Sequence, residues 1–144
     1  MKISTKGRYA VRMMLDIAQH DKGEPVRIRD ISVRQQISMK YLEQIVSSLV
    51  KANYLHSVRG PQGGYHLTRS PKEYTIGNIL RVTEGSLACV ECLSTDQNQC
   101  SRANACVTLR LWKELDDAVS SVVDKYTLED LMEWTTAEAD NYVI

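Results

Sequence analysis

Cys89, Cys92, Cys100 and Cys106 are the only cysteines of the chain, and all four fall within 18 residues. Four thiols on one polar stretch can converge on a common point, which cysteines scattered through a core cannot do. Soft thiolate ligands select zinc, cuprous copper or an iron–sulfur cluster. The spacing is C-x2-C-x7-C-x5-C. Structural zinc favours pairs two to four residues apart; Cys89 and Cys92 fit, while Cys100 and Cys106 stand wider. An iron–sulfur cluster is the first expectation. A structural zinc site and uncomplexed sensor thiols are the alternatives.

The cysteine stretch lies in the half of the chain that carries negative charge. Residues 1–72 hold 13 Lys and Arg against 5 Asp and Glu, whereas residues 73–144 hold 5 against 13. A formal net charge of zero therefore conceals a basic half and an acidic half. The basic half suits a polyanion such as DNA. Within 144 residues, a 43% apolar content suffices for one compact core, built without Phe and with seven Tyr. No apolar run approaches the roughly 18–20 residues of a membrane span, so no membrane partner is expected. The start of the chain leads into an amphipathic segment and not a signal-peptide core. A cytoplasmic protein with reduced thiols is expected.

Three helical segments must position the basic charge. Tyr9, Ala10, Met13, Met14, Ile17 and Ala18 form one apolar stripe and predict a helix from Ser4 to about His20. Val26 and Ile28 suggest a short extended piece before a second helix, roughly Ile28 to Gln35. After a turn at Gln36-Ile37, Ser38 is a good N-cap. Leu42, Ile45, Val46, Leu49 and Val50 then line one face of a third helix, opposite Lys40, Tyr41, Glu43, Gln44, Ser47, Ser48 and Lys51. A short helix, a tight turn and a helix with a polar outer face make a helix-turn-helix pattern. Residues 54–58 and 65–68 read as strands flanking Arg59-Gly60-Pro61-Gln62-Gly63-Gly64, a hairpin with a sharply bent tip. A helix-turn-helix followed by a hairpin is a winged helix.

Gln44 can bond an adenine edge and Glu43 can accept from a cytosine amino group. Ser38 and Lys40 suit phosphates, and Tyr41 either a phosphate or packing. Arg59, beside Gly60 at the hairpin root, suits a narrow minor groove. The glycine-rich tip lacks the Gly-Lys-Ser/Thr ending of a nucleotide-phosphate loop.

Ser4-Thr-Lys-Gly-Arg-Tyr-Ala-Val, Ile37-Ser-Met-Lys-Tyr-Leu-Glu-Gln and Ser57-Val-Arg-Gly-Pro-Gln-Gly-Gly-Tyr together carry a family resemblance. In this order, and with Thr127-Leu-Glu-Asp-Leu near the end, the chain resembles the bacterial winged-helix regulators. That family includes the iron–sulfur cluster regulator IscR, the nitric-oxide sensor NsrR and the cysteine-metabolism repressor CymR. The resemblance implies a homodimer that binds a double-stranded DNA operator, with the third helix in the major groove and the wing in the minor groove. It also implies a long C-terminal helix at the dimer interface. Cys92, Cys100 and Cys106 match the cluster-binding trio of the cluster-bearing relatives. Relatives with a [2Fe–2S] cluster have a histidine where Leu109 stands. Nitric-oxide-sensing [4Fe–4S] relatives use an acidic residue where Arg8 stands. The cluster type and the fourth ligand are therefore open, with Cys89 and Glu91 as local candidates and Cys89 as the expected one. His20, His56 and His66 are expected at the surface or in the wing.

Thr75 caps a further helix through Val82 that ends at Glu84-Gly85. A helix from Val107 to Lys125, expected to be the longest, carries Leu111, Trp112, Leu115, Val119, Val122 and Tyr126 on one side. Thr127 to Asp130 opens a last helix in capping-box fashion, and the tail from Thr135 is expected to be loosely held. The expected fold is mainly α with a small β-hairpin wing. Residues 1–84 form the DNA-binding domain, 85–106 the cysteine loop, and 107–144 the dimerisation and C-terminal helices. No nucleophile–base or paired-carboxylate constellation stands out, so an enzyme is not expected. The reading from another class is an iron–sulfur electron carrier or assembly protein, which leaves Gln44, Arg59 and the basic half unused.

Overall fold

The computed structural model describes residues 2–142. Its helices are α1 (Thr5–His20), α2 (Ile28–Gln35), α3 (Met39–Lys51), α4 (Ile76–Glu84), α5 (Leu109–Val123) and α6 (Leu128–Tyr142). A two-stranded hairpin, β1 (Leu55–Val58) and β2 (Gly64–Leu67), follows α3. The expected winged helix is present.

The α1 stripe is the centre of the core. Ala10, Met13, Met14 and Ile17 are fully buried, against Ile31 of α2, Leu42, Ile45 and Leu49 of α3, and Ile79 of α4. Ser4 caps α1, its hydroxyl accepting from the Gly7 N–H at 3.0 Å. That hydroxyl also donates to the Glu84 carboxylate, which accepts the Ser4 N–H at 3.0 Å as well. A Cβ on Gly7 would run into the same carboxylate, so glycine lets the end of α4 close onto the start of α1.

One charged side chain lies inside the stripe. Asp16 is fully buried. It accepts from Arg34 Nη2 at 2.7 Å, from Arg34 Nε at 3.0 Å and from Gln35 Nε2 at 2.9 Å. This hydrogen bonding raises the Arg34 pKa further above its already high value. Gln35 in turn accepts from Arg12 Nε at 3.1 Å. Gln36 then takes a left-handed conformation at φ 56°, which ends α2 and turns the chain into the Ser38 cap of α3.

Asn53, at φ 60°, makes the corresponding turn between α3 and β1. The hairpin pairs Leu55 with Leu67 through Val58 with Gly64. Val26 bridges Tyr65, with N–H···O contacts of 3.0 and 2.9 Å. The extended piece expected before α2 is thus real at Val26 but stops there, because Ile28 already begins α2. Gly64 allows this edge to close, since a Cβ there would strike the Val26 carbonyl. The buried Tyr74 hydroxyl ties the root of the wing together. It donates to the Tyr54 carbonyl at 3.0 Å and accepts from the N–H groups of Thr68 and Arg69 at 2.9 and 3.1 Å.

The C-terminal helices correct two expectations. α5 spans 15 residues, Leu109–Val123, and is shorter than the 16-residue α1. The segment from Thr135 is helical as far as Tyr142. Thr135 and Thr136 donate to the Leu131 and Met132 carbonyls at 2.9 and 3.2 Å, and Gln19 of α1 donates to Thr135 at 3.2 Å. Good helix formers follow at Ala137, Glu138 and Ala139. Residues 143 and 144 of that expected tail lie outside the described residues. Leu128 is fully buried and joins the same core, and Thr75 bridges Thr127. α5 contributes no buried residue; Leu111, Leu115 and Val122 are exposed.

Removing one partner of a buried charge pair costs about 3–5 kcal/mol, because the other charge is left uncompensated. Arg34→Ala leaves Asp16 with the Gln35 amide and with the His20 ring 3.6 Å away, so the expected loss of unfolding free energy is about 2–3 kcal/mol. Urea denaturation measures it. A loss below about 0.5 kcal/mol would mean that Asp16 needs no cationic partner.

Candidate nucleic-acid interface and cysteine loop

The periodicity that buries Leu42, Ile45, Val46 and Leu49 turns Ser38, Lys40, Glu43, Gln44, Ser47 and Lys51 outward, and all six are exposed. Among the described residues Glu43 forms no ion pair, with Lys40 or any other cation. Its carboxylate is free on a largely basic surface. Tyr41 is half-buried, its ring edge-on to Tyr9 with centroids 5.5 Å apart. Arg12 sits 5.2 Å over the Tyr9 ring, so Tyr41 is at least partly a packing residue.

Arg59 and Gly60 lie at the exposed turn of the hairpin, Gly60 at φ +110°. An open groove runs between α3 and the wing. Glu43, Ser47 and Lys51 line it from the helix, and His56, Arg59 and Tyr65 from the hairpin. Glu43 and Arg59, 16 residues apart in the chain, therefore share one groove, while Ser38 at the cap of α3 and Lys40 and Gln44 on it are exposed outside its lining.

Two braces of this face have no local signal in the sequence. The Arg27 guanidinium donates to the Gln62 side chain at the wing tip. His66 Nδ1 lies 3.0 Å from the Asp21 carboxylate. These contacts span 35 and 45 residues, so neither spacing nor periodicity reveals them.

Between α4 and α5 the chain forms only two single-turn 3-10 segments, Glu91–Leu93 and Ala103–Ala105. Cys92 and Cys100 line one hollow of about 400 Å³ together with Glu91, Ser94, Thr95 and Gln99. Cys89 lies apart from it. Its N–H donates to Asp116 Oδ1 at 3.1 Å and its thiol to the Trp112 carbonyl at 3.4 Å, both on α5. Cys106 sits just ahead of α5, its sulfur 3.4 Å from the Thr108 hydroxyl. That hydroxyl, the N–H groups of Leu109 and Thr108, and the charge of Arg102 hold its pKa below the usual thiol value.

Among the described residues no three His, Cys, Asp or Glu side chains are grouped as a metal ion requires. The donor chemistry nevertheless suits a thiolate-bound cluster. Two thiols share a hollow, and a third is biased toward the thiolate. Asn98 Nδ2 is moreover the one buried side-chain nitrogen or oxygen without a partner among the described residues, and it lies in this loop. His20, His56 and His66 are on the end of α1 and on the wing strands, as expected.

Residues 3–134 match the family model described as "Rrf2: Iron-dependent Transcriptional regulator". The chain belongs to the Rrf2 family. It is 42% identical over 132 residues to the HTH-type transcriptional regulator IscR of Aliivibrio salmonicida, a match covering 92% of this chain and 77% of the relative. Among solved structures of Rrf2 type, it resembles CymR, the global cysteine regulator of B. subtilis. That likeness has a TM-score of 0.76 at 37% identity and covers 93% of this chain and 98% of the other. T. potens IscR resembles it with a TM-score of 0.73 at 37% identity, covering 94% of this chain and 88% of the other. The architecture is thus shared with an IscR and with a global cysteine regulator. In this Rrf2 chain, no described helix is long and apolar enough to cross a membrane.

Proposed function

We propose that this Rrf2 protein is a homodimeric repressor or activator whose hold on an operator responds to an iron–sulfur cluster in the 85–106 loop. The observation that carries the reading is the shared groove. The free face of α3 and Arg59 of the wing open onto one surface in the basic half of the chain. α3 enters the major groove, where Gln44 reads adenine and Glu43 accepts from cytosine. Ser38 and Lys40 hold phosphates. Arg59 follows the adjacent minor groove, with Gly60 giving the close approach. Tyr41, half-buried, supports α3 through Tyr9 and offers a hydroxyl to the DNA backbone.

The α5 face of Leu111, Leu115 and Val122 is left open by the rest of the chain. An unpartnered apolar face on a helix of this length suits a helix-to-helix dimer seam. Cys92, Cys100 and Cys106 would hold the cluster, which when bound supplies a redox- and iron-sensitive crosslink within the loop. Two fourth ligands compete. Cys89 is the softer donor, but it would have to leave Trp112 and Asp116. Glu91 already lines the hollow with Cys92 and Cys100. A structural zinc site is the second reading of the same thiols. Bringing the thiols together draws the loop against α4 and α5. α4 in turn reaches the start of α1 through Glu84, so loop closure can bias the DNA-binding half.

Duplexes selected from a random pool by the purified protein test the DNA reading. Arg59→Ala should weaken the selected site by about 1–3 kcal/mol, and wild-type affinity should fall steeply with salt as counterions are released. Unchanged affinity and base preference in the variant would remove Arg59 from the interface. Sedimentation should give a dimer for the wild type, weakened by Leu115→Asp with Val119→Asp; a wild-type monomer at micromolar concentration would sink the seam. Iron and sulfide analysis after anaerobic purification completes the set. Cys89→Ala should lose the visible chromophore if Cys89 is the fourth ligand, and a full chromophore there would pass the role to Glu91.

A further inference from the structure

We infer that Asn98 donates an N–H···S hydrogen bond to a sulfur of the metal-loaded cysteine loop; this rests on the cluster reading above. Three observations fix the side chain. Its Oδ1 accepts the Cys100 N–H at 2.9 Å, which ties the amide to one of the proposed ligands. Its Nδ2 is buried yet bonds to nothing. The amide cannot be turned over to relieve this, because Nδ2 would then face the Cys100 N–H, donor against donor.

A buried amide nitrogen without a partner costs the full desolvation of that group. No other buried side-chain nitrogen or oxygen among the described residues bears this cost, down to the Asp16 carboxylate in the core. The exception stands in sequence between Thr95 and Gln99, which both line the hollow of Cys92 and Cys100; its own side chain is outside that lining and reaches the site through Cys100. The missing acceptor is therefore of a kind the chain alone does not provide in this state. Metal-bound thiolate or cluster sulfide is an anionic acceptor that arrives only when the loop is loaded. Hydrogen bonds to such sulfurs stabilise the electron-rich centre and set its potential. Asn98 is a positioning and tuning residue in this scheme and not a ligand. Two residues from Cys100, it closes the turn through its oxygen and presents its nitrogen to the sulfur.

Two variants separate the donor from the turn closure. Asn98→Asp keeps the oxygen that accepts the Cys100 N–H but loses the donor. Asn98→Ala loses both. The anaerobically loaded full-length protein is challenged with an iron chelator, and loss of the visible chromophore is timed. If Asn98 donates to sulfur, both variants should bleach about tenfold faster than wild type, as is usual for lost outer-shell partners. Asn98→Asp should be at least as fast as Asn98→Ala, because its carboxylate repels the anionic sulfurs. The midpoint potential of Asn98→Ala should also fall below the wild-type value. If Asn98 only closes the turn, Asn98→Asp will hold its chromophore like wild type while Asn98→Ala alone is labile, and that result overturns the inference. Equal lability and equal potential in all three proteins overturn it as well. A wild type that takes up no iron and sulfide overturns the cluster reading itself, which the variant comparison cannot mimic.

Discussion

The arrangement of the winged helix depends on one carboxylate buried where the apolar stripe of α1 meets α2. Asp16 cannot be left charged in the core without donors, and its donors are Arg34 and Gln35 at the end of α2. Satisfying it therefore fixes where α2 stops. The left-handed turn at Gln36 follows at once, and with it the direction in which α3 departs. The arrangement is also braced from outside, since Gln35 accepts from Arg12 and Arg12 stacks over Tyr9. Tyr9 supports Tyr41 on α3. A polar contact thus orients a helix that apolar packing alone would allow to rotate.

A second set of contacts fastens α4, in the acidic half, to α5 and to the start of α1 in the basic half. Arg81 of α4 forks onto Asp124 at the end of α5, the bonds being 2.6 and 2.9 Å. The guanidinium lowers the Asp124 pKa, and the pairing raises that of Arg81. Gly77 permits the close approach, because a Cβ there would strike Asp124. Three residues beyond Arg81, Glu84 caps the start of α1. α4 is consequently held to α5 through Gly77 and Arg81 and to α1 through Glu84 at its C-terminal end, from which the cysteine loop leaves. Any closure of that loop acts on a helix already fastened to both halves.

Much of this was legible in the sequence because it is local. The stripe of Met13, Met14 and Ile17 marks α1, the Ser38 cap and the Leu42–Leu49 spacing mark α3, and the glycines after Arg59 mark the wing. The winged helix and the family followed from these. What escaped depends on separation in the chain. Asp16 reads as an ordinary helical polar residue until Arg34, 18 residues on, is seen beside it. The Ser4–Glu84 contact spans 80 residues. The segment after Thr135 reads as a polar tail because its helix is stabilised by hydroxyls returning to the preceding turn and by Gln19 of α1. The cysteines were legible as candidate ligands but not as a geometry. A spacing of two residues between Cys89 and Cys92 says nothing of the α5 carbonyl and carboxylate that draw Cys89 aside.

The Tyr74 hydroxyl has a further consequence for what the protein can recognise. By holding the Tyr54 carbonyl after α3 and the N–H groups of Thr68 and Arg69 after β2, it makes α3 and the hairpin a single calliper of fixed gap. With Val26 sealing the hairpin's other edge, the jaws have little freedom to open. In the proposed docking, a duplex brings its major groove and the neighbouring minor groove to that spacing by its own bending and twisting. Such deformation is easy for some base steps and stiff for others. Part of the choice among DNA sites would then be made by their mechanics, at base pairs no side chain touches.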